Sequence, residues 1–310
     1  MGIKITIIGS GNVGATCASL LANKNLVETI VLIDIKQRIS KGKSLDISQM
    51  NSIYGLNTNI IGTENYEKSV NSEIVIITCG VTRKPGMNRD DLLKINSDII
   101  HSVVKKSIFF SPNAKFIIVS NPLDVMSYVS YMTAKINPYR IIGMAGILDT
   151  SRYRFFLSKK LNISSYNIQS LLLGSHGDTM VPLYRYTTIS GIPIKEFLSE
   201  KENDEIINKT KKGGENIVDC LGTSAWMAPA ASIVEMVESI LKNDKKIFSC
   251  SVFLKGEYNL SELYLGVPII LGKNGVDKII ELKLNCKEKK LLENSANHVK
   301  KMIKKLSINY

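Results

Sequence analysis

Apolar residues along the chain recur with two periods. Short runs, Ile3-Lys4-Ile5-Thr6-Ile7-Ile8, Ile30-Val31-Leu32-Ile33, Glu73 to Thr78 and Lys115 to Val119, are bounded by glycine or polar residues and read as strands. Between them lie stretches of helical character: Asn12 to about Asn23, Lys41 to Gln49, Leu92 to about Phe110, and a helix begun and capped by Asp124. In the second of these, Ser44, Leu45 and Ile47 read as packing and surface positions. Strands that turn apolar almost at once, alternating with helices, predict a parallel sheet covered on both faces. After Arg140 the pattern changes to a short strand at Ile141-Ile142, a helical stretch around Asp149 to Phe156, and a strand from Ile168 to Leu173. Beyond Ile194 it is mostly helical: Lys209 to Leu221, with a bend or break expected at Gly213-Gly214, then Ala228 to Leu241. Phe248 to Phe253, Tyr264 to Gly266 and Val267 to Leu271 predict a twisted antiparallel layer. Leu292, Ala296, Val299, Ile303 and Leu306, three or four residues apart among lysines, predict a closing amphipathic helix.

The first repeat unit is the most informative. Gly9-Ser10-Gly11-Asn12-Val13-Gly14 joins the first strand to the first helix, and Asp34 ends the second strand twenty residues beyond Gly14. In that context the glycines serve a tight turn, close approach of a pyrophosphate to backbone N–H groups, and close helix-on-strand packing. Asp34 is placed to accept hydrogen bonds from ribose hydroxyls and to repel a 2′-phosphate, which favours NAD over NADP. The expectation is an α/β chain with an N-terminal Rossmann fold over residues 1–145 and a second, α+β domain over residues 146–310.

Composition narrows the function classes. Of 310 residues, 44% are apolar and 22% charged, and no apolar stretch is long enough to cross a membrane. The N-terminus shows glycine-turn chemistry instead of a signal peptide, so a cytoplasmic location is expected. Five scattered cysteines without CxxC spacing indicate neither a disulfide framework nor a metal site. The net charge of +12 is divided evenly, +6 on residues 1–145 and +6 on the rest. It suits an anionic substrate; without a helix-turn-helix, zinc-finger spacing or basic-aromatic repeat it predicts no dedicated nucleic-acid partner. Docking on its own domain is the ordinary reading of the basic closing helix, and no membrane partner is expected.

Ligands of open parallel sheets bind beyond the carboxyl ends of the strands. Gly80 and Asn121 occupy such positions. Arg83 and Arg89 flank the Pro85-Gly86 turn; as charged loop residues they either face solvent or, if the loop closes, enter the pocket with forks suited to carboxylate and carbonyl oxygens. Asp149 and Arg152 share a helix face, which alone would make an intrahelical ion pair. His176 lies in Gly174-Ser175-His176-Gly177-Asp178, between glycines and off any apolar face, where functional side chains commonly sit. His101, with nothing near it to orient a ring nitrogen, reads as structural.

With GSGNVG, RKPGMNRDDL, VSNPLDVM, IGMAGILDTSRYR, LLGSHGDTMVPL and SAWMAPAAS in this order, and GEY and YLGVP after them, the chain resembles the malate and lactate dehydrogenase superfamily, specifically its lactate-dehydrogenase-like bacterial malate dehydrogenases. The resemblance implies the family's C-terminal domain, NAD as cofactor, and reversible oxidation of (S)-malate to oxaloacetate, a tricarboxylic acid cycle reaction. It implies His176 as acid/base, Asp149 holding its other nitrogen, and Arg89 stabilising the developing alkoxide. Arg152 would clamp the carboxylate next to the keto group, with Asn121 orienting the carbonyl. Lactate enzymes usually carry glutamine where Arg83 stands, so Arg83 implies a substrate with a distal carboxylate, and Ala225 leaves room for it. Trp226 and Met227 depart from the family pattern and are expected to alter packing only. Cofactor contacts are implied for Gly9, Ser10, Gly11, Asn12, Val13, Gly14, Asp34, Thr78, Gly80, Asn96, Val119, Ser120 and Asn121. The resemblance implies no metal, and a homotetramer or homodimer.

Overall fold

Strand β1 (Lys4–Ile8) pairs in parallel with β2 (Thr29–Ile33) on one side and with β4 (Ile74–Ile77) on the other. That arrangement sets the topology of the whole first half. In the computed structural model, residues 2–82 and 88–306 are described. β3 (Asn59–Thr63), β5 (Lys115–Ile118) and β6 (Ile141–Gly143) extend the sheet, so its parallel part runs β6-β5-β4-β1-β2-β3. The order reverses at β1 and β4, and their carboxyl ends open the crevice in which such sheets bind ligands. Helices α1 (Asn12–Asn23), α2 (Gln37–Tyr54), α3 (Arg89–Phe110) and α4 (Leu123–Ala134) make the crossovers. Ile5, Ile7, Ile30, Leu32, Ile74, Ile76, Phe116 and Ile117 are fully buried, as strands covered on both faces require.

The second half contains α5 (Ala145–Leu161), β7 (Ile168–Gln169), β8 (Leu172–Leu173), β9 (Val181–Pro182), β10 (Thr188–Ile189), β11 (Ile192–Pro193), α6 (Glu200–Leu221), α7 (Met227–Lys242), β12 (Lys246–Lys255), β13 (Ser261–Gly272), β14 (Gly275–Ile279) and α8 (Cys286–Lys305). β12, β13 and β14 form the antiparallel layer. It is not separate from the first half: Ser251 of β12 pairs with Gly143 of β6, giving one nine-stranded sheet. A Cβ on Gly143 would lie 2.7 Å from the Ser251 side chain, so this junction depends on a glycine.

Several sequence expectations require correction. The run at residues 73–78 is the fourth strand, because β3 (NIIGT) ends in small and polar residues at the sheet edge and lacks a continuous apolar signal. The Ile168–Leu173 strand is two strands, since β7 joins β10 and β11 while β8 pairs with β9. Helix α6 runs through Gly213-Gly214 without a break. Its start is fixed by a capping box between Ser199 and Glu202, and its buried face of Asn203, Ile206, Thr210 and Gly213 gives packing that outweighs the roughly 1 kcal/mol helix penalty of each glycine. Asp124 caps nothing: Pro122 occupies the N-cap of α4, and Asp124 is buried inside the first turn. His101 does have a partner, since its Nδ1 lies 3.0 Å from the Thr133 hydroxyl and links α3 to α4. The closing helix follows its periodicity, burying Leu292, Ala296 and Val299.

Candidate active site

The glycine turn shows two steric requirements. Gly9 has φ of +104°, and a Cβ there would come within 2.8 Å of the Cys79 nitrogen. A Cβ on Gly14 would lie 1.9 Å from the Gly9 carbonyl oxygen, so α1 packs on β1 only with a glycine at that position. Gly11 is different, because nothing lies within 4 Å of where its Cβ would be. It is the N-cap of α1 and gives no side-chain cap. The start of α1 thus has no side-chain cap and has open space beside Gly11, which fits a dinucleotide pyrophosphate.

Asp34 follows β2. Its Oδ2 accepts from the Ser10 N–H at 2.8 Å and its Oδ1 from the Lys36 N–H at 2.9 Å. These bonds hold the carboxylate beside the turn, where ribose hydroxyls can reach it. The Thr78 hydroxyl donates to the Gly9 carbonyl at 2.9 Å and so braces the turn from β4. Ser120 likewise donates to the Cys79 carbonyl. Asn96 is buried: Oδ1 accepts from Val81 N–H at 2.8 Å, and Nδ2 donates to the Val81 and Asn121 carbonyls at 3.2 and 2.8 Å. It ties the exit of β4 to the exit of β5 from behind, while the Asn121 residue itself is exposed at the sheet's carboxyl edge. Val119 is half-buried beside it, its N–H donating to Ile77 at 2.9 Å.

The second cluster joins α5 to the loop after β8. His176 Nδ1 lies 2.9 Å from Asp149 Oδ2, and Arg152 Nη1 lies 3.6 Å from Asp149 Oδ1. Side-chain exposure is 3% for Asp149, 16% for Arg152 and 24% for His176, so the anion is enclosed while both cationic partners retain a route outward. The ion pair is therefore one limb of a three-residue arrangement. The Asp149 charge raises the His176 pKa above its usual value, and their hydrogen bond adds to this. Burial and the Arg152 charge oppose it. With Nδ1 engaged by the carboxylate, Nε2 is the nitrogen free for proton exchange. Gly213 and Gly214 of α6 lie beside the Arg152 guanidinium, which gives the glycine pair a role other than a bend.

Arg83 lies outside the described residues, and of Arg89 only the backbone, at the start of α3, is described. Ala225 and Trp226 are partly buried at the entry to α7, and Met227 is exposed. Asp124 is a neighbour that sequence reasoning missed: its Oδ2 accepts from the His176 backbone N–H at 3.3 Å. The available signal was its place, three residues after Asn121 at the carboxyl edge of the sheet. No group of three or more metal-ligating side chains occurs among the described residues.

Comparison with known proteins matches nearly the whole chain to one family. Residues 3–143 match the lactate/malate dehydrogenase NAD-binding domain, and residues 147–308 match the lactate/malate dehydrogenase alpha/beta C-terminal domain. The malate dehydrogenase of Cytophaga hutchinsonii is 50% identical over 302 residues, covering 97% of each chain. The solved malate dehydrogenase of Salinibacter ruber superposes with a TM-score of 0.94 at 43% identity, over 98% of this chain and 97% of that one. The Plasmodium falciparum enzyme in complex with NADH gives 0.92 at 37% identity, over 97% of this chain and 98% of that one. The chain belongs to the lactate/malate dehydrogenase family, among its malate dehydrogenases.

Proposed function

We infer that the chain catalyses the NAD-dependent interconversion of (S)-malate and oxaloacetate in central carbon metabolism, with a division of labour near residues 145 and 146. The observation that carries this reading is the Asp149–His176–Arg152 cluster beside a nucleotide-binding sheet edge. Gly9 to Gly14 and Asp34 hold the dinucleotide, with Gly80, Val119, Ser120 and Asn121 along the strand ends. Thr78 and Asn96 act through the backbone they brace. NADH, when bound, supplies the hydride for the keto carbon. His176, held protonated by Asp149, gives the proton to the keto oxygen; in the malate direction neutral His176 takes the hydroxyl proton. Arg152 binds the carboxylate next to the reacting carbon through its fork, and Asn121 orients the carbonyl. Arg89 stabilises the oxygen as negative charge develops, and Arg83 pairs with the distal carboxylate. Ala225 leaves space for that longer acid.

Exposed apolar surface at Leu45, Ile53 and Tyr54 on α2 and at Leu221 on α6 supports oligomer formation. A homotetramer or homodimer is proposed, checked by light scattering at assay concentration. No helix among the described residues is long and apolar enough to cross a membrane. A cytoplasmic location is proposed, with no dedicated nucleic-acid or membrane partner. The direct test of function is NADH oxidation with oxaloacetate and pyruvate side by side. Oxaloacetate should be preferred by at least about 100-fold in kcat/KM, as expected when one substrate leaves a buried charge unpaired. Equal efficiencies would exclude the malate reading.

A further inference from the structure

Behind His176 lies a second carboxylate that the mechanism above does not use. Asp124, in the first turn of α4, is only 2% exposed. Its Oδ1 accepts from the Ser251 hydroxyl of β12 at 2.6 Å, and its Oδ2 accepts from the His176 backbone N–H at 3.3 Å. Ser175 is a further hydrogen-bond partner. The carboxylate thus sits where three parts of the molecule meet: α4 from the nucleotide-binding half, β12 from the antiparallel layer, and the loop carrying His176. From the opposite side the Ser295 hydroxyl of α8 accepts from the Ser175 N–H at 2.7 Å. The residue preceding the histidine is therefore gripped by both halves, and the buried carboxylate is the grip on the nucleotide-binding side. A structural ion pair would need a cation here. The partners of Asp124 are instead two hydroxyls and a backbone N–H; burial raises its pKa above the usual carboxylate value, and these hydrogen bonds and the nearby imidazole act against that to keep it ionised.

We propose that Asp124 is a positioning residue for catalysis, anchoring the His176 backbone to α4 and giving the imidazole a second negative neighbour besides Asp149. This rests on the assignment of His176 as acid/base. Among the described residues, the charged groups acting on the imidazole are Asp149 and Arg152 from α5 and Asp124 from α4; Arg152 opposes protonation and both carboxylates favour it. Because α4 begins just after Asn121, the same contact couples the residue that orients the carbonyl to the residue that delivers the proton.

The test uses the full-length NAD-bound protein with 13C-labelled histidine rings, which leaves three resonances to follow. The His176 signal is identified by its loss in His176→Asn. In Asp124→Asn the His176 titration midpoint should fall by about half a pH unit or more, and the high-pH limb of oxaloacetate reduction should move with it. kcat should drop about tenfold with KM for NADH unchanged. Ser251→Ala keeps the carboxylate but removes its 2.6 Å hydrogen bond, and should give a smaller shift of the same sign with about threefold lower kcat. An unmoved midpoint in folded Asp124→Asn overturns the proposal, even if kcat falls, because loosened packing alone would do that. Should that variant fail to fold, parental midpoint and kcat in Ser251→Ala overturn it. The ring titration does not depend on turnover. Near-parental turnover in His176→Asn would therefore sink the acid/base assignment while leaving the Asp124 result readable.

Discussion

Replacing Asp149 with asparagine isolates what its charge contributes. The side-chain amide oxygen can still accept from His176 Nδ1–H, so the ring orientation survives while the negative charge 2.9 Å away is lost. A hydrogen bond to a charged group contributes about 1.5–3 kcal/mol net, against about 0.5–1.5 for a neutral one, and at 3% exposure little water is present to screen the difference. At about 1.4 kcal/mol per pH unit, the His176 pKa should fall by roughly one unit. The direction of the pH effect follows from which form of the ring each reaction needs. Oxaloacetate reduction needs protonated His176, so it is fully present below the folded pKa and lost as pH rises through it. The variant loses it earlier, with kcat/KM reduced about tenfold near pH 8 and much less near pH 5. Malate oxidation needs the neutral ring, so its rise should begin at lower pH and its alkaline plateau should change less.

The assay is steady-state NADH absorbance in both directions across roughly pH 5 to 9, the range in which a histidine titrates. Asp149 also neutralises Arg152, so a separate rise in KM for oxaloacetate would report a disturbed carboxylate clamp without moving the pH limb. Equal losses in both directions at every pH, with the limb in its parental position, would refute the assignment of Asp149 as the group that keeps His176 protonated.

His176→Asn should bind NADH with parental affinity, read by fluorescence titration, while turnover falls by about 10²–10⁴. Gly14→Ala places a methyl 1.9 Å from the Gly9 carbonyl and should lower Tm and weaken NADH binding at least tenfold, whereas Gly11→Ala meets no atom within 4 Å and should weaken binding with Tm unchanged. Asp34→Ser removes the charge that repels a 2′-phosphate, so the NADPH-to-NADH ratio of kcat/KM should rise at least tenfold; an unchanged ratio removes Asp34 from cofactor selection. Arg83→Gln should cost oxaloacetate about 2–5 kcal/mol of kcat/KM while pyruvate holds or improves, and an unchanged ratio would make Arg83 an ordinary loop residue.

What could be read in the sequence was whatever leaves a local signature. β1, α1 and β2 are specified by apolar runs, a glycine turn and an acid within thirty-odd residues, and the structure gives Gly9 and Gly14 the turn and packing reasons expected of them. β3 was missed because an edge strand needs no continuous apolar run. α6 was expected to break because glycine's local penalty is visible in sequence, whereas the α5 surface that compensates for it is not. The same limit applies to chemistry. Asp149 and Arg152 announced themselves by helical spacing, but the contact of His176 with Asp149 spans 27 residues, that with Asp124 spans 52, and Asp124 with Ser251 spans 127. Bonds of that range have no period and no neighbour to mark them. The family resemblance reached the first of these; the other two came only with the fold.

A charge count over the cluster gives a physical reason for the proposed role of Arg83 in substrate choice. In the reducing state protonated His176 and Arg152 are positive, Asp149 and Asp124 negative, so the described cluster is neutral before any substrate arrives. Pyruvate would bring one negative charge and oxaloacetate two. A site that excludes water penalises unpaired charge by several kcal/mol, so on the proposed roles of Arg83 and Arg89 their charges should match those of the substrate. Arg89 alone balances a monoanion. Arg83 and Arg89 together balance a dianion, and around pyruvate they would leave one guanidinium uncompensated. On this proposal the Asp149–His176–Arg152 cluster serves the chemistry common to 2-keto acids and is indifferent to their length. Selection requires one further positive charge, and the sequence supplies it at Arg83, where exchange for a neutral amide would rebalance the site for a monocarboxylate without altering a residue that carries the proton.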